Sequence, residues 1–95
     1  MTNASMTDDG DPEVLRAALF EAIENQLRSN VPPETRETLD RLMSEGHTRE
    51  EAMKLIGCAL TSEIYDVLKT QTPYDNARYV ANLKRLPELP WDDDE

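Results

Sequence analysis

Apolar residues recur at helical spacing along the middle of the chain, between positions 48 and 69. At roughly 100° per residue they form one broad stripe, and the period-two alternation of a strand fails. Thr48 and Glu51 have the spacing of a capping box, so the pattern predicts a helix over 49–69. Glu63 places a carboxylate inside the stripe. The other members of the stripe are Ala52, Met53, Ile56, Ala59, Leu60, Ile64, Val67 and Leu68.

Two helices are predicted before this one. Pro12 suits a first helical position, where a missing N–H does no harm, and Gly46 suits the left-handed residue that follows a helix. These signals, together with the apolar periodicity, place the helices over 12–28 and 33–45. The apolar face expected on the first of them comprises Leu15, Ala18, Leu19, Ala22, Ile23 and Leu27.

A fourth helix is predicted over 73–86. Thr72 and Asp75 again have capping-box spacing, and Pro87 cannot continue a helix. The residues just beyond, 87–91, include Leu89 and Trp91 and follow Leu86. Because an exposed tryptophan leaves a large apolar surface in water, we expect these three side chains to form a hydrophobic hook that folds back on the domain.

The four predicted helices indicate an all-α fold in a single domain over 11–91. Because the helices differ in length and one is long and central, we expect an irregular or orthogonal bundle rather than a symmetric one. Residues 1–10 are polar and lack apolar periodicity, which predicts a disordered leader. Residues 92–95 form a short acidic tail.

The 95-residue chain has a formal net charge of −10, and this charge is concentrated at the ends. Residues 1–14 contain four acids and residues 87–95 contain five, without any Lys or Arg in either stretch. The remaining body is near neutral, so it offers no basic stripe for nucleic acid and no cationic face for a membrane. A single cysteine and the lack of a signal-peptide pattern favour a cytoplasmic protein.

Three polar residues are candidates for a ligand site. Glu63 lies on an apolar face, where a carboxylate needs a partner such as an arginine, a metal ion or a hydrogen-bond donor. Gln26 is a similar polar intrusion on the first helix, and Glu24 lies nearby in the sequence. A bundle metal site of the carboxylate type also needs Glu-x-x-His elements, and the chain has none, so we expect neither a metal nor another cofactor.

Other residues are candidates for contact with a partner. Leu55, Cys58 and Tyr65 widen the apolar surface of the central helix, and Leu89 and Trp91 could anchor an exposed C-terminal segment. No catalytic constellation accompanies them. We therefore expect a non-enzymatic protein-interaction or assembly module, either a homo-oligomer or the binder of another protein. The alternative is a small-ligand or metal-binding domain that uses Glu63, Gln26 and Glu24.

Three stretches together resemble a family of small uncharacterised bacterial proteins, a domain of unknown function. They are FEAIENQL at 20–27, PPETRETLDRLMSEGHTREEAMKLIG at 32–57 and PYDNARYVANLKRLPELPW at 73–91. The resemblance implies a compact helical domain in a bacterial cytoplasm, and it implies no activity. Relatives often carry histidines where this chain has residues such as Phe20 and Lys54, so the resemblance gives no support to a metal site here.

Overall fold

Four helices form most of residues 12–90, the part of the chain that the computed structural model describes, and this part contains no strand. The helices are α1 (Pro12–Ser29), α2 (Pro33–Ser44), α3 (Arg49–Thr70) and α4 (Asn76–Arg85). The predicted all-α, four-helix fold is confirmed. Within the same residues, none of the helices is both long and apolar enough to cross a bilayer. The expectations for the leader at 1–10, for Trp91 and for the acidic tail fall outside the described residues.

The junction between α2 and α3 follows the sequence signals closely. The backbone N–H of Glu51 donates to the hydroxyl of Thr48 at 3.0 Å, and the backbone N–H of Thr48 donates to the Glu51 carboxylate at 3.0 Å. These two bonds are the predicted capping box. Gly46 has a φ of 108°, a backbone conformation that residues with a Cβ rarely adopt. The junction is therefore fixed by local chemistry.

The prediction that α4 begins at Pro73 is wrong. The helix begins at Asn76, and Asp75 caps it by accepting hydrogen bonds from the backbone N–H groups of Ala77 at 3.0 Å and Arg78 at 3.2 Å. Thr72 is not part of this cap. The N–H of Asp75 donates to a side chain of α3, which holds Asp75 in an extended conformation and moves the helix start past Pro73.

The core lies where α3 packs against each of the other three helices. Burial of apolar side chains from all four helices supplies most of the driving force for folding. Leu86, which follows the end of α4, is also buried, and Leu89 packs against the core. The buried apolar residues are Ile23, Leu27, Leu39, Leu42, Ala52, Met53, Ile56, Ala59, Leu60, Tyr79, Leu83 and Leu86.

The ends of two helices are less buried than the sequence predicts. Leu15 and Ala18 of α1 and Ile64 and Leu68 of α3 were expected in the core, and all four are exposed. For Ile64 and Leu68 the lengths of the helices matter: α3 has 22 residues, whereas α2 has 12 and α4 has 10. At about 1.5 Å per residue, α3 is roughly 15 Å longer than α2. α2 and α4 are therefore too short to cover the whole length of α3.

Two leucines of α3 provide a direct test of this burial pattern. Leu60 is 8% exposed and Leu68 is 72% exposed, although they lie eight residues apart on one helix. We expect Leu60→Ala to lower the free energy of unfolding by about 2–4 kcal/mol, because it removes buried contacts and leaves a cavity. Leu68→Ala should change it by less than about 0.5 kcal/mol. Urea unfolding of dilute protein checks both values, and equal losses would contradict the fold.

Candidate functional site

A buried ion pair joins α3 to α4. Glu63 is 0% exposed, and its carboxylate receives two hydrogen bonds from the guanidinium of Arg78, from Nε to Oε1 at 2.7 Å and from Nη2 to Oε2 at 2.8 Å. The backbone N–H of Asp75 donates a third bond to Oε2 at 2.8 Å. Arg78 also lies near Asp66, whose Oδ2 is 3.7 Å from Nε. An arginine was one of the kinds of partner that the sequence left open for Glu63.

These contacts determine the protonation state of Glu63. Hydrogen bonds from Arg78 hold the pKa of Glu63 below its ordinary value, and the Asp75 N–H acts in the same direction. Burial by itself would raise this pKa, but the bonds to the charged form outweigh it. The same pair raises the pKa of Arg78. Glu63 is thus an ionised carboxylate whose two oxygens are both engaged by the chain itself.

Gln26 connects α1 to two other helices. Its Oε1 accepts a hydrogen bond from the hydroxyl of Thr35 on α2 at 2.7 Å and another from the hydroxyl of Tyr79 on α4 at 3.0 Å. Thr35 and Tyr79 are both 0% exposed, and burial raises the pKa of Tyr79. A buried hydroxyl needs such a partner, so the contacts account for a polar residue in this position.

Glu24 belongs to a third, separate contact. Its two carboxylate oxygens accept bonds from the guanidinium of Arg49, at 3.1 and 3.3 Å, which joins α1 to the start of α3. These bonds hold the pKa of Glu24 below its ordinary value. Among residues 13–90, no three His, Cys, Asp or Glu side chains are grouped closely enough to hold a metal ion. Glu63, Gln26 and Glu24, the residues of the alternative ligand-site hypothesis, thus take part in three separate sets of bonds within the chain.

An apolar groove lies between α1 and α3, and we call it the α1/α3 groove. It encloses about 390 Å³. Arg16 and Lys54 contribute cationic groups to its lining, and Cys58 is half-buried in it. Burial raises the pKa of the Cys58 thiol, which makes it a weak nucleophile at neutral pH. The lining residues are Leu15, Arg16, Leu19, Phe20, Lys54, Gly57, Cys58 and Thr61.

A more polar groove lies on the other side of α3, between α3 and α4, and we call it the α3/α4 groove. It encloses about 590 Å³. Tyr65 is 61% exposed here, and the Nζ of Lys69 lies 5.8 Å from the centre of its ring, a cation–π arrangement. The lining residues are Thr61, Ser62, Tyr65, Asp66, Lys69, Arg78, Asn82 and Pro90.

The residues expected to contact a partner are thus dispersed. Cys58 lies in the α1/α3 groove and Tyr65 in the α3/α4 groove, whereas Leu55 and Leu89 are half-buried and pack against the core. Trp91 lies outside the described residues. The sequence reasoning missed Lys69 and Asn82 as lining residues. The i, i+4 spacing of Tyr65 and Lys69 on one helix could have identified Lys69 from the sequence. No sequence signal could have identified Asn82, because its location depends on how α4 packs against α3.

The ionised state of Glu63 predicts a pH dependence of stability. Because the folded-state pKa of Glu63 lies below the ordinary value of 4.5, the pair stabilises the fold fully above that pH. This contribution is lost as the pH falls through the folded-state pKa. We expect Glu63→Gln to be less stable than the parent chain at neutral pH, with a difference that shrinks in acid. Urea unfolding across the pH range measures this difference. Glu21→Gln, at an exposed position on α1, is the control, and a difference independent of pH would contradict the assignment.

The Gln26 contact predicts a difference between two tyrosines. Tyr79→Phe removes a buried hydroxyl bonded to Gln26, and we expect it to lower the free energy of unfolding by about 1 kcal/mol. Tyr74→Phe removes an exposed hydroxyl that donates to Asn76 at 2.8 Å, and it should cost less than about 0.5 kcal/mol. Thermal or urea unfolding of both variants measures the two losses in the free energy of unfolding. Equal effects would show that the Tyr79 bond contributes nothing specific.

Comparison of the chain with known protein families, with curated proteins and with solved structures finds no match. The family resemblance noted in the sequence gains no support from these comparisons. A functional proposal for this chain therefore rests on the geometry of its own surfaces.

Proposed function

We propose that this protein is a non-enzymatic assembly module that pairs with a second copy of itself through one face of α1 and α3. The observation that carries the proposal is a set of large apolar side chains left uncovered on these two helices. Leu15 is 58% exposed, Ile64 is 42% exposed and Leu68 is 72% exposed. We call these residues, together with the α1/α3 groove, the α1/α3 face.

The exposed residues continue the groove along both helices. Leu15 lines the groove beside Thr61 of α3. Positions 57, 61, 64 and 68 follow one another along the same side of a helix, so Ile64 and Leu68 extend the line from Gly57 and Thr61 towards the end of α3. A contiguous apolar surface on a small protein typically marks a contact with another protein.

The arrangement of α1 and α3 favours a second copy as the occupant. Glu24 bonds to Arg49 at one end of the two helices, and Leu15 and Thr61 line the same groove nearer the other, so α1 and α3 run antiparallel. A two-fold axis would place the same pair from another molecule against them. The resulting layer of four helices buries the exposed residues of both copies, as in a helical bundle completed by dimerisation.

The polar contacts of the interior support an interaction module over a ligand-binding domain. Glu63, Gln26 and Glu24 each satisfy a partner within the chain, and none of them is among the residues that line the two grooves. A ligand would have to compete with bonds that hold the helices together. Burial of the apolar side chains of the α1/α3 face carries no such constraint, because it replaces only their contacts with water.

Charged substitutions on the face test the proposal. We expect the parent chain to self-associate, and we expect the double variant Leu15→Glu/Leu68→Glu to be monomeric. A carboxylate buried in an apolar contact costs several kcal/mol, so the dissociation constant should rise by at least about a hundredfold. Sedimentation velocity over a range of concentrations measures this change. The control is Val31→Glu, which places one such carboxylate at a valine that is 67% exposed in the α1–α2 connection.

Circular dichroism must show that the double variant keeps its helices. A parent chain that stays monomeric at every concentration contradicts the self-assembly proposal. Self-association that survives in Leu15→Glu/Leu68→Glu but is lost in Val31→Glu would place the interface elsewhere. A slower reaction of Cys58 with a thiol reagent in the associated form would add support, since Cys58 lies in the α1/α3 groove.

A further inference from the structure

An exposed strip runs along the outer side of α3, from its first turn to its last. Its positions are separated alternately by three and four residues, so they follow one side of the helix. Most of its side chains are exposed, and Cys58, near the middle, is half-buried. We call it the α3 strip. Its residues are Glu51, Lys54, Cys58, Thr61, Tyr65 and Leu68, with Lys69 beside Leu68 at the end.

The two ends of the α3 strip carry opposite charges. Glu50 and Glu51 lie in the first turn of α3, and Lys69 lies in the last. Arg49 and Asp66, which are also near the ends of α3, lie within ion-pair distance of groups on other helices. The first turn therefore presents negative charge to solvent, and the last turn presents positive charge.

Glu51 and Lys69 point in the same direction from α3. They are eighteen residues apart, which is five full turns at 3.6 residues per turn. At 1.5 Å per residue they are also about 27 Å apart along the helix, too far for direct contact within one chain. An ion pair between these two groups can therefore form only between two molecules.

Both groups have the capacity for such a pair. Oε1 of Glu51 accepts the backbone N–H of Thr48 and lies 3.7 Å from Nδ1 of His47, and these contacts leave Oε2 to other donors. The Glu51 side chain is 60% exposed. Lys69 is exposed as well, and its Nζ lies 5.8 Å from the centre of the Tyr65 ring.

We infer that the second copy in the proposed assembly packs its α3 antiparallel to the first, so that Glu51 of each copy pairs with Lys69 of the other. This inference rests on the proposed self-assembly, and it adds the orientation and the register of the two copies. Leu68 belongs both to the α1/α3 face and to the α3 strip, so the same contact buries it. Each two-fold dimer contains two such ion pairs.

The remaining positions of the α3 strip agree with this register. A two-fold axis perpendicular to α3 and near position 60 places each position opposite the one equally far beyond the axis. Lys54 then faces the ring of Tyr65 in the other copy, which is a favourable cation–π arrangement. Cys58 faces Thr61, and these small side chains allow the two helices to approach closely at the centre.

The order of charges favours a second copy in this orientation over other occupants. A parallel arrangement would place Glu51 against Glu51 and Lys69 against Lys69, with the helix dipoles aligned in the same direction. The antiparallel arrangement places each charge against its opposite. The strip is thus complementary to its own reverse, which is the property that an interface between two identical chains requires.

Substitution of Lys69 tests the pairing in the full chain. We expect Lys69→Glu to raise the dissociation constant of self-association by about tenfold, because both ion pairs of the dimer change from attraction to repulsion. The matched control is Lys84→Glu, which makes the same change of charge at an exposed lysine of α4. It should change the dissociation constant by less than about twofold, because distant surface charges are screened by salt.

Glu51→Gln completes a double-mutant cycle with Lys69→Glu. Glutamine keeps the acceptor that the capping box needs, so α3 should retain its start while it loses the charge. In the Glu51→Gln background, Lys69→Glu should raise the dissociation constant by less than about threefold. Sedimentation velocity measures the four dissociation constants, and circular dichroism checks that each variant keeps its helices.

The outcomes separate this inference from the proposed self-assembly. A parent chain that stays monomeric contradicts both. Self-association that is lost in Leu15→Glu/Leu68→Glu but unchanged in Lys69→Glu overturns the inference alone. An equal effect of Lys69→Glu with and without the Glu51 carboxylate also overturns it, since Lys69 would then act on another group.

Discussion

A carboxylate removed from water must find hydrogen-bond donors, and at Glu63 this requirement fixes how α4 meets α3. The guanidinium of Arg78 and the backbone N–H of Asp75 supply three bonds to its two oxygens. Asp75 consequently lies against α3 in an extended conformation, where its own carboxylate caps α4. One buried charge thus positions the residue before the helix, the start of the helix and a cation on its first turn.

Polar contacts of this kind complement an apolar core that has little directional preference of its own. Hydrophobic burial favours any arrangement that removes enough surface from water. The bonds of Gln26 to Thr35 and Tyr79 hold α1, α2 and α4 at one set of positions, and the Glu24–Arg49 pair aligns α1 with the start of α3. We interpret the Gln26 contacts as determinants of a unique packing, because a buried polar group leaves few alternative partners. The Glu24–Arg49 pair is exposed to solvent and contributes less.

Local signals in the sequence were sufficient to predict the helices, but they could not predict how much of each helix is buried by its neighbours. The capping box at Thr48 and Glu51 depends on residues three apart, and it forms as predicted. Periodicity correctly identified the apolar stripe of α3, but it cannot show how far a neighbouring helix extends. Ile64 and Leu68 therefore appeared as core residues although both are exposed. For a related reason the sequence could not show that Glu24, Glu63 and Gln26 bond to separate partners. These partners, Arg49, Arg78 and Tyr79, lie 15 to 53 residues away from them along the chain.

The unequal length of the helices has a consequence for local opening. Beyond Glu63, most side chains in the final turns of α3 are exposed, among them Ile64, Tyr65 and Leu68, and helix ends with few buried contacts open locally. Their amide protons should exchange with solvent through local fraying, while those near Ile56 exchange through global unfolding. Tyr65 and Lys69 lie on these turns, so pairing of two copies through them would also slow exchange at the end of α3.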